Sequence, residues 1–142
     1  MKSRPLHNLH DLTDMLHRAE QARMREVNDR ETKLRQAITA LEAHQKTLLS
    51  EPAETLGAMR RIGGDILWQG WVNRNRIELN RQLALCLAQK SRMMARLRDA
   101  HGRQMAASSL LEQERAARKA TASHRQLAQL DALIAGRLNG GA

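Results

Sequence analysis

The chain of 142 residues contains no Phe, no Tyr, two Trp, two Pro and one Cys. A close-packed globular interior draws on aromatic and β-branched side chains, so a conventional mixed core is not expected. One Cys excludes an internal disulfide, and the scarcity of Pro leaves long stretches without a helix breaker. What remains is rich in Ala, Leu, Met, Gln, Arg and Glu, which is the composition of long helices and coiled coils.

The first third of the chain has a coiled-coil pattern and predicts a helix over about 6–49. Apolar residues recur with heptad spacing at Met24, Val27, Leu34, Ile38, Leu41 and Leu48. Upstream, a similar apolar series lies one residue out of phase, at Leu9, Leu12, Leu16 and Ala19. A register slip near residue 20 would join the two series into one seam.

Residues 50–64 predict a connector with a possible short helix. Ser50 is a good N-cap, Pro52 suits a first helical turn, and the Gly63-Gly64 pair ends whatever forms. A second helix is predicted over about 65–138, with Asp65 as its N-cap. Its heptad positions are Val72, Leu79, Leu83, Cys86, Met93, Leu97, Ala100, Ala107 and Leu111.

Together these segments predict one all-α domain over residues 1–142. It is a long antiparallel two-helix coiled-coil hairpin with a short connector and an overhanging C-terminal helix. The overhang follows from length, because the second helix outlasts the first by about thirty residues at about 1.5 Å per residue. Its apolar stripe comprises Leu127, Leu130, Leu133, Ile134 and Leu138. Either a partner protein covers this stripe, or the tail folds back or frays.

The basic residues are concentrated in the second helix. Residues 65–142 contain 13 Lys and Arg against 6 Asp and Glu, whereas residues 1–64 contain 11 against 9. Five arginines share one face of the helix: Arg74, Arg81, Arg92, Arg96 and Arg103. Such a face could bind nucleic acid, an anionic membrane or an acidic protein. Alternatively, Glu78 and Asp99 pair with these arginines on a solvated face.

The sequence does not indicate catalysis, a cofactor or a metal. His10, Asp14 and His17 share a helix face, but this is more often a solvated polar face than a metal site. Cys86 falls on the seam, where a buried thiol is expected. Gly63-Gly64 is not followed by the Lys-Ser or Lys-Thr of a phosphate-binding loop. We therefore predict a binding protein and not an enzyme.

Trp68 and Trp71 lie in the first turns of the second helix. One of them is expected to cap the seam and cover the turn, packing on Leu56 or Met59, while the other is more exposed. Two Trp beside Arg74 and Arg76 also have the composition of a partner-binding anchor.

The stretch "WQGWVNRNRIELNRQLALCLAQKSRMMARLRDAHGRQMA" resembles the middle and second helix of flagellar FliJ-type proteins. These are stalk and chaperone components of the type III export ATPase. The resemblance covers residues 65–107 in sequence texture and most of the chain in hairpin layout. It implies a cytoplasmic protein, either free or peripheral at the inner membrane through its partners, that binds the hexameric export ATPase, the export gate and export chaperones. The helix ends nearest the termini would enter the ATPase ring.

The predicted function is therefore a non-enzymatic coiled-coil stalk or adaptor of flagellar type III export. A basic helical nucleic-acid-binding protein and a secretion chaperone or scaffold are the alternatives. Nucleic acid is disfavoured because acids interrupt the arginines and no zipper-plus-basic-region layout occurs. The predicted partner-binding residues are Trp68, Trp71, Arg74, Arg76, Arg92, Arg96, Arg103, Leu127, Leu130 and Ile134.

Overall fold

A computed structural model describes residues 3–50, 54, 57–58 and 63–141. It contains two long helices, α1 (Ser3–Leu49) and α2 (Gly64–Asn139). The helices pack against each other as an antiparallel hairpin, and the described residues contain no strand. The predicted all-α hairpin is confirmed, and both helices extend slightly beyond the predicted limits.

The ends of the helices explain where the chain turns. The Ser50 backbone N–H donates to the Lys46 carbonyl at 3.2 Å, and its hydroxyl donates to the Thr47 carbonyl at 2.8 Å. Ser50 thus completes α1 instead of capping a following helix. Gly63 has a φ of 69°, which glycine adopts without strain, and it immediately precedes α2. Asp65 lies in the first turn of α2, where its charge is favourable.

The predicted connector helix is only partly within the described residues. Glu54, Gly57 and Ala58 are helical. The remainder of residues 51–62 lies outside the described part of the chain, including Leu56 and Met59, the expected contacts of the tryptophans.

The contacts divide the chain into two units, each formed by a stretch of both helices. We call Ala19–Leu97 the connector-side unit, and Met1–Arg18 together with Arg98–Ala142 the terminal unit.

The connector-side unit has an apolar seam. Its buried side chains are Met24, Val27, Val72 and Cys86, with Val72 only 1% exposed. The half-buried positions include Leu34, Ile38, Leu41 and Leu48, as the heptad pattern predicts. Burial of these side chains is the main favourable term that holds the two helices together in this unit.

Polar side chains fix the register of the connector-side unit. Lys90 Nζ lies 2.7 Å from Glu31 Oε2, and Arg30 Nη1 donates to Gln89 Oε1 at 2.9 Å. Arg76 Nη2 donates to Gln45 Oε1. Each bond joins α1 to α2, so a shift of one helix along the other would break all three at once.

The terminal unit has a far more polar seam. Thr13, Ala100, Ala107 and Leu111 are buried, and two of these are alanines. The Thr13 hydroxyl donates to carbonyls of its own helix, at Leu9 and His10. Gln104 Nε2 donates to Asp14 Oδ1 at 2.9 Å across the two helices. These contacts bury little large apolar surface.

The predicted register slip near residue 20 is wrong. Leu9, Leu12 and Leu16 are 42%, 54% and 48% exposed, and Ala19 is also exposed. The buried and half-buried positions of α1 instead keep the frame of Met24 and Val27 back to the N-terminus, at Glu20, His17, Thr13, His10 and Leu6. A continuous α-helix cannot change phase without local over- or underwinding, and polar residues therefore occupy these positions.

Candidate partner-binding surfaces

The C-terminal part of α2 is a helix without a packing partner in its unit. Every residue from Arg115 to Gly141 is exposed, although the helix continues to Asn139. This is the predicted overhang, and it has neither folded back nor lost its helical structure. The exposed apolar stripe contains Leu127, Leu130, Leu133, Ile134 and Leu138. Contiguous exposed apolar surface of this kind is typical of a binding site.

The overhang is also basic. Residues 115–141 contain five Lys and Arg and one acid, Asp131. Four of the cations precede the main apolar stripe, at Arg115, Arg118, Lys119 and Arg125. Arg118 Nη2 pairs with Glu114 Oε1 at 3.1 Å, so one of the four is already neutralised. The overhang therefore presents a basic half followed by an apolar half.

An open groove lies between the first turns of α1 and the start of the overhang. Its volume is about 580 Å³, and its lining includes His10, Leu111, Arg115 and Lys119. Leu111 is buried and marks the last apolar contact of the terminal unit's seam. The groove thus joins the seam to the basic half of the overhang.

The predicted basic face is partly available for binding. Arg81 is held by Glu78 at 2.8 Å, as expected. Arg92 and Arg96 in the connector-side unit and Arg103 in the terminal unit are exposed and form no ion pair with the described residues. The expected pairing with Asp99 is likewise not formed. These three guanidinium groups remain free to meet an anionic surface.

The pair Glu78 and Arg81 shows how strongly such contacts perturb the carboxylate. Two hydrogen bonds from Arg81, at 3.0 and 2.8 Å, and a third from Gln82 lower the pKa of Glu78 to about 2. Hydrogen bonds from Lys90 and then Arg35 lower the pKa of Glu31. Both carboxylates stay ionised well below neutral pH.

The tryptophans differ in burial, and the arginines beside them differ in role. Trp68 is half-buried, and Trp71 is 52% exposed. Arg74 is exposed, whereas Arg76 is half-buried by its bond to Gln45 and also has a buried Nε without a partner. Of the predicted anchor, Trp71 and Arg74 are exposed, Trp68 is half-buried and Arg76 lies in the seam.

Sequence reasoning missed one apolar surface. Leu9, Leu12, Met15 and Leu16 are all exposed on α1 in the terminal unit. The signal was present, because Thr13 and Glu20 continue the heptad of Val27 without a break. Extending the heptad of Val27 through the polar residues Glu20 and Thr13 would have predicted that these leucines are exposed.

The described residues contain no group of three or more His, Cys, Asp or Glu placed to hold a metal. Cys86 is buried, and its thiol lies 3.6 Å from the Val27 carbonyl oxygen, as a small seam residue would. Neither α1 nor α2 has, over its described residues, a stretch long and apolar enough to cross a membrane.

Comparison with protein-family models, curated proteins and solved structures finds no match for this chain.

Proposed function

We propose that this chain is a non-enzymatic coiled-coil adaptor of flagellar type III protein export, and that its overhanging helix binds a protein of the export apparatus. The hexameric export ATPase is the first candidate partner, followed by the export gate and the export chaperones. These partners come from the resemblance of residues 65–107 to FliJ-type proteins. A cytoplasmic location, peripheral at the inner membrane through these partners, belongs to the same proposal.

The observation that carries the proposal is the uncovered overhang. A single helix from Arg115 to Asn139 presents the Leu127–Leu138 stripe entirely to solvent. An isolated helix is stabilised in proteins mainly by burying its amphipathic face. A partner groove that accepts Leu127, Leu130 and Ile134 would supply that burial, in the manner of other helix-in-groove complexes.

The charge of the overhang restricts the partner. Its basic half favours an acidic rim around the apolar groove, because complementary charge accelerates association and suppresses wrong partners. Arg92, Arg96 and Arg103 add exposed cations that form no ion pair with the described residues. We expect them to contribute to the same complex through salt-sensitive contacts.

The test is a binding assay between this protein and the export ATPase of the same organism. The intact chain is compared with a form ending at Glu114, which keeps Leu111 and the seam of the terminal unit. We expect the truncated form to lose binding while its hairpin stays folded. The same comparison is then made with the soluble domain of the export gate.

Two triple variants distinguish the loss of the apolar stripe from a general loss of helical structure. Leu127, Leu130 and Ile134 are replaced together by Gln, and in a control variant Ala128, Ala132 and Ala135 are replaced by Gln. The stripe variant should bind at least tenfold more weakly, and the control should bind like the wild type. Equal affinity of both variants would reject the overhang as the docking element.

Neutralising Arg92, Arg96 and Arg103 to Gln tests the basic face. We expect weaker binding to the protein partner at low salt, with helicity unchanged. Nucleic-acid binding is the competing function that these free guanidinium groups favour. It would appear as affinity for any duplex or single strand that falls steeply with salt and is lost in this variant.

A further inference from the structure

The terminal unit contains two histidines that face each other across the hairpin. His17 on α1 is half-buried, and His101 on α2 is exposed. Their ring centres are 5.2 Å apart, and the ring planes are inclined at 44°. Neither the resemblance nor the proposed function gives this pair a role. Neutral imidazole is, however, a good ligand for zinc, nickel and copper ions.

The separation of the rings suits a shared metal ion. Two imidazoles bound to one tetrahedral zinc through Zn–N bonds of about 2.0–2.1 Å have ring centres about 5 Å apart. The observed 5.2 Å agrees with this value. Each ring can turn about its own side-chain bonds to present a nitrogen, and the exposure of His101 gives an ion and its water ligands access from solvent.

The surrounding contacts hold the two helices in place at this level. Asp14, one turn before His17, accepts the hydrogen bond from Gln104, one turn after His101, at 2.9 Å. Asp14 also pairs with Arg18 Nε at 3.1 Å. Its carboxylate is thus already engaged, and the described residues offer no third ligand to complete a closed site. A metal ion held by the two histidines would therefore have two protein ligands and an open coordination sphere.

We propose that His17 and His101 bind a divalent transition-metal ion between α1 and α2, with water completing its coordination. The bound ion ties the two helices together where the seam is polar and contributes little apolar burial. The site is separate from the overhang and does not depend on the proposed function.

The test is isothermal titration calorimetry of the full-length, metal-free protein with zinc chloride at pH 7.5. We expect the titration to give one bound ion per chain. In a separate thermal unfolding measurement, zinc should raise the midpoint of unfolding, since a ligand that binds only the folded state stabilises it. His17→Gln and His101→Gln should each lose both effects. Magnesium, which prefers oxygen ligands, should give neither.

His10→Gln is the matched control, because His10 is also half-buried in the terminal unit and lies one heptad before His17. It should bind zinc like the wild type. Binding that survives His101→Gln would place the ion on α1 alone and overturn the proposal, as would the absence of zinc binding in the wild type. Circular dichroism of each variant confirms that the helices are intact.

Discussion

The seams of the connector-side unit and the terminal unit follow the same heptad frame, but the first seam is apolar and the second is far more polar. In the first, the buried α1 positions are Met24 and Val27. In the second, the equivalent positions one or two heptads earlier hold His17 and Thr13, and Leu9, Leu12 and Leu16 face solvent. On α1, the first unit places most of its large apolar side chains in the seam. The second unit leaves Leu9, Leu12 and Leu16 of α1 exposed, where another molecule can bind them.

This difference indicates that folding stability and partner recognition depend on different parts of the hairpin. Elements that bind or move are generally drawn from the less stable parts of a structure. Apart from Leu111, the buried residues of the terminal unit are small or polar. The unit also has an exposed leucine surface on α1 and an uncovered overhang on α2. We expect the connector-side unit to carry most of the folding free energy and the terminal unit to carry most of the binding.

The largest effect should come from opening a cavity in the connector-side seam. Met24→Ala removes a side chain that is 7% exposed, and it should lower the free energy of unfolding by about 2–5 kcal/mol. His17→Ala, seven residues earlier, should cost about 1 kcal/mol or less in metal-free buffer, because its ring is only half-buried. Denaturant titrations followed by circular dichroism give both values. Equal losses would remove the distinction between the units.

Acid should weaken the connector-side unit through its two perturbed carboxylates. The pKa of Glu78 is about 2 and that of Glu31 lies below its ordinary 4.5. Because folding depresses both pKa values, their contribution is complete above about pH 4.5 and is lost as the pH falls toward about 2. The thermal midpoint of the wild type should fall over this interval. The fall should be smaller in a Glu31→Gln, Glu78→Gln variant, and an identical profile would contradict the assignment.

Replacing a buried polar side chain in the seam of the terminal unit by an apolar one should make the seams of the two units more alike in polarity. Thr13 is 7% exposed, and its hydroxyl bonds only to carbonyls of its own helix. Thr13→Val should therefore raise the free energy of unfolding by about 0.5–1 kcal/mol. The same denaturant titration measures it. A destabilised variant would mean that the hydroxyl contributes more than the added apolar burial.

The smallest effect should come from removing the overhang. The residues removed from a chain ending at Glu114 are exposed from Arg115 to Gly141, so the free energy of unfolding of the hairpin should change by about 0.5 kcal/mol or less. The total helical signal should fall because the removed residues are helical. A chain ending at Ser108 also loses the buried Leu111 and should be measurably less stable. A large loss on removing the overhang alone would show that it packs within the protein in solution.

Most of the fold follows from local features of the sequence. The long runs without Pro, the heptads of 24–48 and 72–111, and Gly63 before α2 predicted both helices and the turn between them. Interhelical pairs such as Lys90 with Glu31 could not be assigned from the sequence, because spacing identifies seam positions and not their partners. Of the candidate site, the exposed stripe of the overhang was predicted, whereas the engagement of Arg76 with Gln45 was not.

By itself, the sequence determined that this protein is a long helical hairpin with a basic second helix, because propensity and heptad spacing act locally. Only the tertiary structure decided which side of residues 3–18 meets α2. Leu9, Leu12 and Leu16 are the apolar side chains that a seam would be expected to bury. The continuous helix nevertheless keeps the phase of Met24 and Val27, and the three leucines therefore face solvent. The phase of a helix is a property of its whole length, and a short apolar series cannot reset it without distorting the backbone.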